Sequence, residues 1–416
     1  MTRFYQNPIT TYFKNNQEFI SGLIIGLLML LMSIRQAVGL PLLLIYLIAI
    51  GGLIRPSKEY LVIAGLLTLK IILISIICKN NLGDLNEPNL KEWFRRIIID
   101  LILLMMIFFR LKLGVKNGFY YFCITIFLVD LLCNIHGHIY GVSWNGMPLE
   151  IRTGDWIGRS GGIFGHPFYS IDISIIALFS ALLLKNRSIA PLVLLSALNL
   201  LLAGSQRGIL ALVLIITLYG LFYLNVKKIY VYLICVAIVA TVFVGVSYIA
   251  KLHPELLAHS ERIFRWSFGY EVLINNLGDI NSYLRFNPEV FTPQSSILIN
   301  SQFYSKILLF FFNAESYYLS EAINYGLVVS LLSIIIFFGV YRINSKLLDY
   351  WQKLSGSSNA NSPINLEGQN YHNYQILIRT LFALFIFIDG FYGYLIGAAT
   401  LSFFYANACF EVSNKD

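Results

Sequence analysis

Residues 229–249 read IYVYLICVAIVATVFVGVSYI and contain no charged side chain. An apolar run of about 20 residues, once helical, matches the ~30 Å hydrocarbon core of a bilayer. Predominantly apolar runs also occupy residues 19–34, 61–77 and 189–203. Because lipid satisfies no backbone hydrogen bonds, a spanning segment must form them within itself, as a helix does. These runs therefore predict several transmembrane helices.

The composition of the whole chain points to the same class of protein. The 416 residues are 57% hydrophobic and only 12% charged, with a mean hydropathy of +0.70. Soluble domains carry about 25% charged residues, so this chain has too little polar surface to be one. We expect an all-α, polytopic membrane protein with about 12 transmembrane helices, in which residues 1–416 form a single integral membrane domain.

The apolar runs define the predicted helices in chain order. They cover residues 19–34, 37–54, 60–78, 96–111, 118–136, 167–184, 188–203, 209–225, 229–250, 318–341, 376–393 and 395–410.

The basic residues of the short connections predict the topology. These residues lie in four short connections that the order of the helices places on the same side of the membrane. They are Arg55 and Lys58; Arg110, Lys112 and Lys116; Lys185 and Arg187; Lys227 and Lys228. The positive-inside rule makes that side, and with it both termini, cytoplasmic. Two long polar loops, 137–166 and 251–315, then face outward, and loop 342–375 is cytoplasmic. Long loops on a rigid scaffold commonly carry function, so we expect the site in the outer loops.

The outward side is rich in arginine. It carries nine arginines and four lysines, against five arginines and ten lysines inside. The planar guanidinium binds phosphate with two parallel hydrogen bonds and stays charged at any working pH. This bias suggests an anionic, phosphate-bearing substrate, with lipid headgroups as the alternative partner.

Arg207 lies in the short connection Gly204-Ser205-Gln206-Arg207-Gly208 between two apolar helices. A charge held this close to a membrane is a functional candidate, although its side chain could instead extend to lipid headgroups. Ser205 is suited to cap the helix that starts near Ile209.

An amphipathic helix is predicted within the larger outer loop, over residues 260–275 (SERIFRWSFGYEVLIN), with Ser260 as its N-cap. Arg262, Arg265 and Trp266 lie within about one turn of each other. An arginine pair beside an indole suits a lipid-linked diphosphate sugar. The alternative is a Glu261–Arg265 salt bridge with Trp266 as an interfacial anchor.

Four segments, in this order, give the chain a resemblance to a known family. They are Gly161-Gly162-Ile163-Phe164-Gly165-His166-Pro167, Gly204-Ser205-Gln206-Arg207-Gly208, Ser260-Glu261-Arg262 with Trp266, and Glu315-Ser316-Tyr317-Tyr318-Leu319 leading to Asn324-Tyr325-Gly326. With them, residues 155–345 resemble the O-antigen ligase and O-antigen polymerase superfamily of bacterial membrane glycosyltransferases.

The resemblance implies an enzyme of the bacterial inner (plasma) membrane whose active site faces the periplasm or exterior. Its donor would be a glycan carried on undecaprenyl diphosphate, and neither a cofactor nor a metal would be needed. Arg207 and Arg262 would hold the diphosphate as it leaves. The family's ligases place a His-Asn-x-x-Leu pattern where this chain has Glu315-Ser316-Tyr317-Tyr318-Leu319, which favours a polymerase.

The chemistry of such a transfer requires a base opposite the cations, because a sugar hydroxyl must lose its proton while the diphosphate departs. Glu315, beside the start of a predicted helix, is the candidate base. Partial desolvation would raise the pKa of Glu315 and suit this role, whereas the helix dipole would favour its charged form. Direct attack by the hydroxyl predicts inversion at the anomeric carbon.

Other residues are weaker candidates. His166, which precedes Pro167, is suited either to substrate binding or to helix capping; Arg159 and Tyr318 are further candidates for substrate binding. His136 and His138 lack a third metal ligand nearby in the sequence. A proton relay, as in a transporter, would use the acidic residues in or near the predicted helices: Asp100, Asp130, Asp172 and Asp389.

Two other functions share this helix count and basic character. A ligase would transfer the glycan to lipid A core or another acceptor. A flippase or transporter would move the lipid-linked oligosaccharide, and would often show repeated halves, which this sequence lacks. The expected partners are the lipid-linked glycan, membrane lipids and a candidate chain-length regulator, and no nucleic acid is expected.

Overall fold

The computed structural model describes part of the chain, and the structural statements below concern that part. It covers residues 8–34, 36–50, 52–53, 58–80, 97–98, 100–101, 103–105, 108–149, 158–184, 189–204, 208–209, isolated positions from 212 to 252, 261–275, 277–279, 283–284 and 317–338. This part is predominantly helical, which confirms the predicted class.

The helices and strands follow one another in a simple order. They are α1 (Pro8–Ile34), α2 (Gln36–Ile50), β1 (Gly52–Leu53), α3 (Lys58–Asn80), β2 (Phe109–Arg110), α4 (Leu113–Tyr140), the 3-10 turn Gly162–Phe164, α5 (Pro167–Leu183), α6 (Ile189–Leu202), α7 (Glu261–Asn275), α8 (Tyr317–Tyr325) and α9 (Leu327–Phe338). They form two compact units. The first unit contains α1, α2, α4, α5, α6 and both strands; the second contains α3, α7, α8 and α9.

One helix of the described part, α4, is both long and apolar enough to cross a membrane. Six shorter apolar helices of 10–17 residues accompany it: Gln17–Leu31, Pro41–Ile50, Leu61–Ile77, Tyr169–Leu183, Ala190–Leu202 and Leu327–Phe337. The described residues thus support a helical, apolar protein but not the predicted number of 12 transmembrane helices.

Helices α1 and α4 pack in parallel through glycines. A Cβ added at Gly22 would lie 2.0 Å from the Val115 carbonyl oxygen, and one at Gly118 would lie 2.0 Å from that of Phe19. Glycine lets two helix backbones approach this closely. The first and fifth predicted helices should run in the same direction, and the packing agrees with that expectation.

The short strands correct two predicted helix ends. Residues 52–53 and 109–110 were predicted as the ends of helices, but they pair as antiparallel strands, with Gly52 opposite Arg110 and Leu53 opposite Phe109. Glycine is a poor helix former, and cross-strand hydrogen bonds satisfy the backbone here instead. This pairing joins the chain just before the basic connection at residues 55–58 to the chain at the basic connection that starts at Arg110.

The predicted helix 318–341 is broken, which is the largest correction. Gly326 has a φ of +95°, a left-handed conformation that ends α8 before α9 begins. The chain then folds back, because the rings of Tyr317 and Phe337 lie 5.7 Å apart, whereas one straight helix would separate these residues by about 30 Å. The Ser330 hydroxyl closes the hairpin by donating to the Tyr318 carbonyl at 2.8 Å.

Candidate functional site

In the first unit, the residues just before the segment 161–167 contact the start of the segment 204–208. The backbone N–H of Ser160 donates to the Leu202 carbonyl at 3.3 Å, at the end of α6. Gly204, two residues after Leu202, packs against the Arg159 side chain, since an added Cβ would lie 2.6 Å from Arg159 Cγ. Arg159 is half-buried. The aliphatic part of the Arg159 side chain therefore lies beside Gly204, the first residue of the segment that contains Arg207.

The turn before α5 is fixed by its own backbone. The N–H of His166 donates to the Gly161 carbonyl at 2.8 Å, and the His166 carbonyl accepts from Tyr169 N–H at 3.1 Å. Gly165 makes this turn possible with a φ of +72°. The half-buried His166 ring has its centroid 6.1 Å from that of Tyr169. Substrate binding by His166 stays a prediction.

The end of α4 also contacts Leu202, at the end of α6. His138 Nε2 lies 2.7 Å from the Leu202 carbonyl oxygen and donates to it. The last carbonyls of a helix lack partners within the helix, so two donors here stabilise the end of α6. The neighbouring His136 ring stacks at 4.5 Å on Tyr140. Within the described ranges, no three His, Cys, Asp or Glu side chains gather as metal ligands would.

In the second unit, the other two segments pack together. Helix α7 begins at Glu261, which confirms the predicted amphipathic helix within one residue of its start. It packs on α8, and a Cβ added at Gly269 would lie 2.8 Å from Ile323 Cδ1 and 2.9 Å from Leu319 Cδ2. The glycine thus permits close packing of these two helices.

The candidate side chains on these helices differ in exposure. Trp266 is only 6% exposed, so its ring packs inside the second unit, whereas Arg265 is half-buried. Tyr318 is also buried, at 5% exposure, and its ring lies 6.4 Å from that of Phe337. In this conformation Trp266 and Tyr318 contribute to packing, and their roles in substrate binding stay predictions.

Four candidate residues lie outside the described residues altogether: Ser205, Arg207, Glu315 and the relay candidate Asp389. For Arg262 the structure describes the helical backbone of α7 only.

A buried ionic cluster, centred on Lys70, was not predicted from the sequence, although one of its members, Asp100, was a candidate for a proton relay. Lys70 Nζ lies 3.0 Å from Asp100 Oδ2 and 2.8 Å from Glu321 Oε1. It also donates to the Tyr317 hydroxyl at 2.5 Å. All four side chains are at most 1% exposed. Lys70 was read as part of an apolar run, although a single cation inside such a run is itself the signal that marks a functional or paired residue.

The described candidates therefore gather in two places. Arg159 and His166 lie in the first unit near the end of α6; Arg265, Trp266 and Tyr318 lie in the second unit on α7 and α8. Comparison with protein-family models finds no family that matches the chain, and comparison with curated proteins finds no match either.

Proposed function

We propose that this chain is a membrane glycosyltransferase that polymerises oligosaccharide repeat units carried on undecaprenyl diphosphate. The product would be O-antigen, capsule or exopolysaccharide, made at the outer face of a bacterial plasma membrane. The proposal rests on the resemblance of the four segments and on the way in which they pack.

The observation that supports it most directly is pairwise packing. Segment 161–167 follows Arg159 and Ser160, which contact the end of α6 at Leu202 and Gly204. Likewise α7, which carries Arg262, packs on α8, which follows Glu315. Each pairing lies within one compact unit. In each unit it brings together residues that belong to, or directly adjoin, segments of the resemblance that are distant in the sequence.

The proposed chemistry assigns each side of the site a role. Arg207 and Arg262 would bind the diphosphate and stabilise its charge as the glycosidic bond forms. Glu315 would accept the proton of the attacking sugar hydroxyl. The hydroxyl oxygen attacks the anomeric carbon from the face opposite the diphosphate, so the new linkage has inverted configuration. The lipid diphosphate leaves as the second product.

The proposed membrane arrangement is a bundle of several transmembrane helices with both termini in the cytoplasm. The length and apolar character of α4 support it, as does the parallel packing of α1 and α4, which an alternating topology requires of its first and fifth helices. The outer loops would then face the periplasm or exterior.

Deletion of the gene in its host, followed by electrophoresis of the surface glycans, tests the proposal. Loss of a polymerase leaves lipid A core that carries a single repeat unit. Loss of a ligase leaves bare core while the undecaprenyl-linked polymer accumulates. A full-length ladder in the deletion strain, in a host without a second such gene, would rule out both functions.

The Lys70 cluster favours a second candidate function, transport of the lipid-linked oligosaccharide. Ion pairs deep inside a bundle of apolar helices are typical of proton and ion pathways. Lys70 is about 18 Å along α3 from Lys58, near the middle of the helix. Purified protein in liposomes separates the two functions. A transporter moves a labelled lipid-linked oligosaccharide to the other leaflet unchanged, whereas a polymerase lengthens it.

A further inference from the structure

A buried carboxylate in the first unit holds the turn before α5. Asp130, on α4, is fully buried. Its Oδ1 accepts the backbone N–H of Ile163 at 2.9 Å. Gly162 lies so close that an added Cβ would be 2.1 Å from Asp130 Oδ1. The carboxylate therefore binds directly to the backbone of the Gly161–Pro167 segment.

The other carboxylate oxygen of Asp130 binds two side-chain amides. Asn199 Nδ2, on α6, donates to Asp130 Oδ2 at 3.0 Å, and Asn134 Nδ2 approaches the same oxygen at 3.3 Å. Asn134 Nδ2 also lies 2.8 Å from Asn199 Oδ1. Both asparagines are fully buried. These contacts connect α4 to α6 five residues before Gly204.

Helix α5 completes the network through two serines. Asn199 Nδ2 lies 2.9 Å from Ser174 Oγ, and Asn134 Nδ2 lies 3.1 Å from Ser170 Oγ. Both serines are fully buried. One connected set of hydrogen bonds thus joins α4, α5, α6 and the turn at Ile163.

The position of the network explains what it does. On one side it fixes the turn that leads to His166, and on the other it fixes α6, which leads to Arg207. Satisfied groups in a buried polar network restrict a fold to one arrangement, and here both carboxylate oxygens of Asp130 accept hydrogen bonds.

We infer that Asp130 and Asn199 are positioning residues, which hold two described segments, 158–166 and 199–204, in register for the reaction. This inference rests on the proposed function, because that function makes the two segments parts of one active site. Neither residue touches the substrate. Their effect is transmitted through Ile163 and through the end of α6.

The pattern of donors and acceptors provides a sharp test. Asp130→Asn replaces one acceptor oxygen with an NH₂ group. In one orientation of the new amide this NH₂ faces the NH₂ groups of Asn134 and Asn199, and in the other it faces the Ile163 N–H. Either way, two hydrogen-bond donors face each other. Asn199→Asp places a second carboxylate beside that of Asp130. The double variant Asp130→Asn/Asn199→Asp exchanges the two groups. It again gives Ile163 N–H an acceptor, and it pairs the amide at position 130 with the carboxylate at position 199.

The measurement is hydrogen–deuterium exchange of the full-length protein in lipid, combined with polymer formation from a lipid-linked oligosaccharide. Each single variant should speed backbone exchange in 158–166 by about tenfold or more, lower the maximal rate of polymer formation and leave exchange in α7 unchanged. The double variant should restore both protection and rate. Ser196→Ala, which removes another buried hydroxyl of α6, is the matched control and should change neither.

Rescue by the double variant is the result that a general loss of stability would not produce. Wild-type exchange in 158–166 in both single variants would overturn the inference. So would altered exchange with an unchanged rate of polymer formation. If the wild-type protein forms no polymer under conditions that retain its fold, the proposed function fails instead, whatever the exchange data show.

Discussion

The Lys70 ammonium nitrogen lies 2.8 Å from Glu321 Oε1, and both side chains are buried. This ion pair joins the middle of α3 to the middle of α8. Tyr317 is one turn before Glu321 on the same face of α8 and also binds Lys70. Lys70 therefore fixes the helix that directly follows the candidate base Glu315.

Replacement of Lys70 should destabilise the second unit strongly. Lys70→Met would leave two buried carboxylates without their cation, and breaking such a pair typically costs about 3–5 kcal/mol. Unfolding by denaturant in detergent measures the change. Lys112→Met is the control, because its pair with Glu18 lies at the surface, with Lys112 62% exposed, and should contribute little.

The double variant Lys70→Met/Glu321→Gln should recover part of this stability, since it removes a carboxylate together with the cation. If Lys70→Met is as stable as the wild type, the cluster does not hold α3 and α8 together.

The close packing of α1 on α4 predicts that Gly22→Ala destabilises the protein. Its new Cβ would meet the Val115 carbonyl oxygen at 2.0 Å, and rigid backbone must then move. Overpacking of this kind typically costs about 1–3 kcal/mol. Gly65→Ala on α3 is the matched control, because an added Cβ meets nothing within 4 Å there. It should be neutral or stabilising, since alanine is the better helix former. Equal thermal stability of the two variants would contradict the described packing.

Arg207→Lys should abolish most polymer formation while the protein still reaches the membrane. Lysine keeps the positive charge but loses the planar fork that binds a diphosphate through two hydrogen bonds. The readout is the length distribution of surface glycan, with the amount of protein measured in isolated membranes. Arg110→Lys, on the strand pair of the predicted cytoplasmic side, is the control. Full-length chains from the Arg207 variant would show that a point charge suffices.

Arg262→Ala should lower polymer formation as strongly, and Arg265→Ala should have the milder effect. In the predicted helix Arg262 is the diphosphate ligand, whereas the nearest predicted partner of Arg265 is Glu261, one turn away. Polymer formation by both variants, measured side by side at equal protein level, shows which of the two arginines is the diphosphate ligand. A stronger effect of Arg265→Ala would reverse the assignment.

Glu315→Gln should lower turnover by the factor of about 10² to 10⁴ that general base catalysis supplies. Glutamine keeps the shape of the side chain but accepts no proton. Binding of the lipid-linked donor should survive, because it depends on Arg207 and Arg262. Polymer formation by purified variants in lipid, measured alongside donor binding, tests both points. Turnover at the wild-type rate would make Glu315 a helix-end carboxylate. The alternative bases would then be His166 and Asp155, which both lie in the predicted outer loop 137–166.

Local sequence was enough to predict most of the helices that the structure describes. Long apolar runs predicted α3, α5 and α6 close to their observed bounds, and a serine followed by an amphipathic pattern predicted α7. For α1 the run predicted the end but not the start, which lies at Pro8 and not at residue 19. These features depend on hydropathy and spacing within some 20 residues, which the sequence displays directly. The order of the four resemblance segments was likewise visible, although not their contacts.

Tertiary structure alone decided the rest. The sequence does not show that residues 52–53 pair with 109–110, because each would otherwise continue a helix. The predicted helix 318–341 runs through Gly326, and the contact between Tyr317 and Phe337 reveals a hairpin there. The partners of Lys70 and Asp130 come from remote parts of the chain. A buried charge must find a partner, but the sequence states only that need, and the packing of distant helices determines which residue meets it.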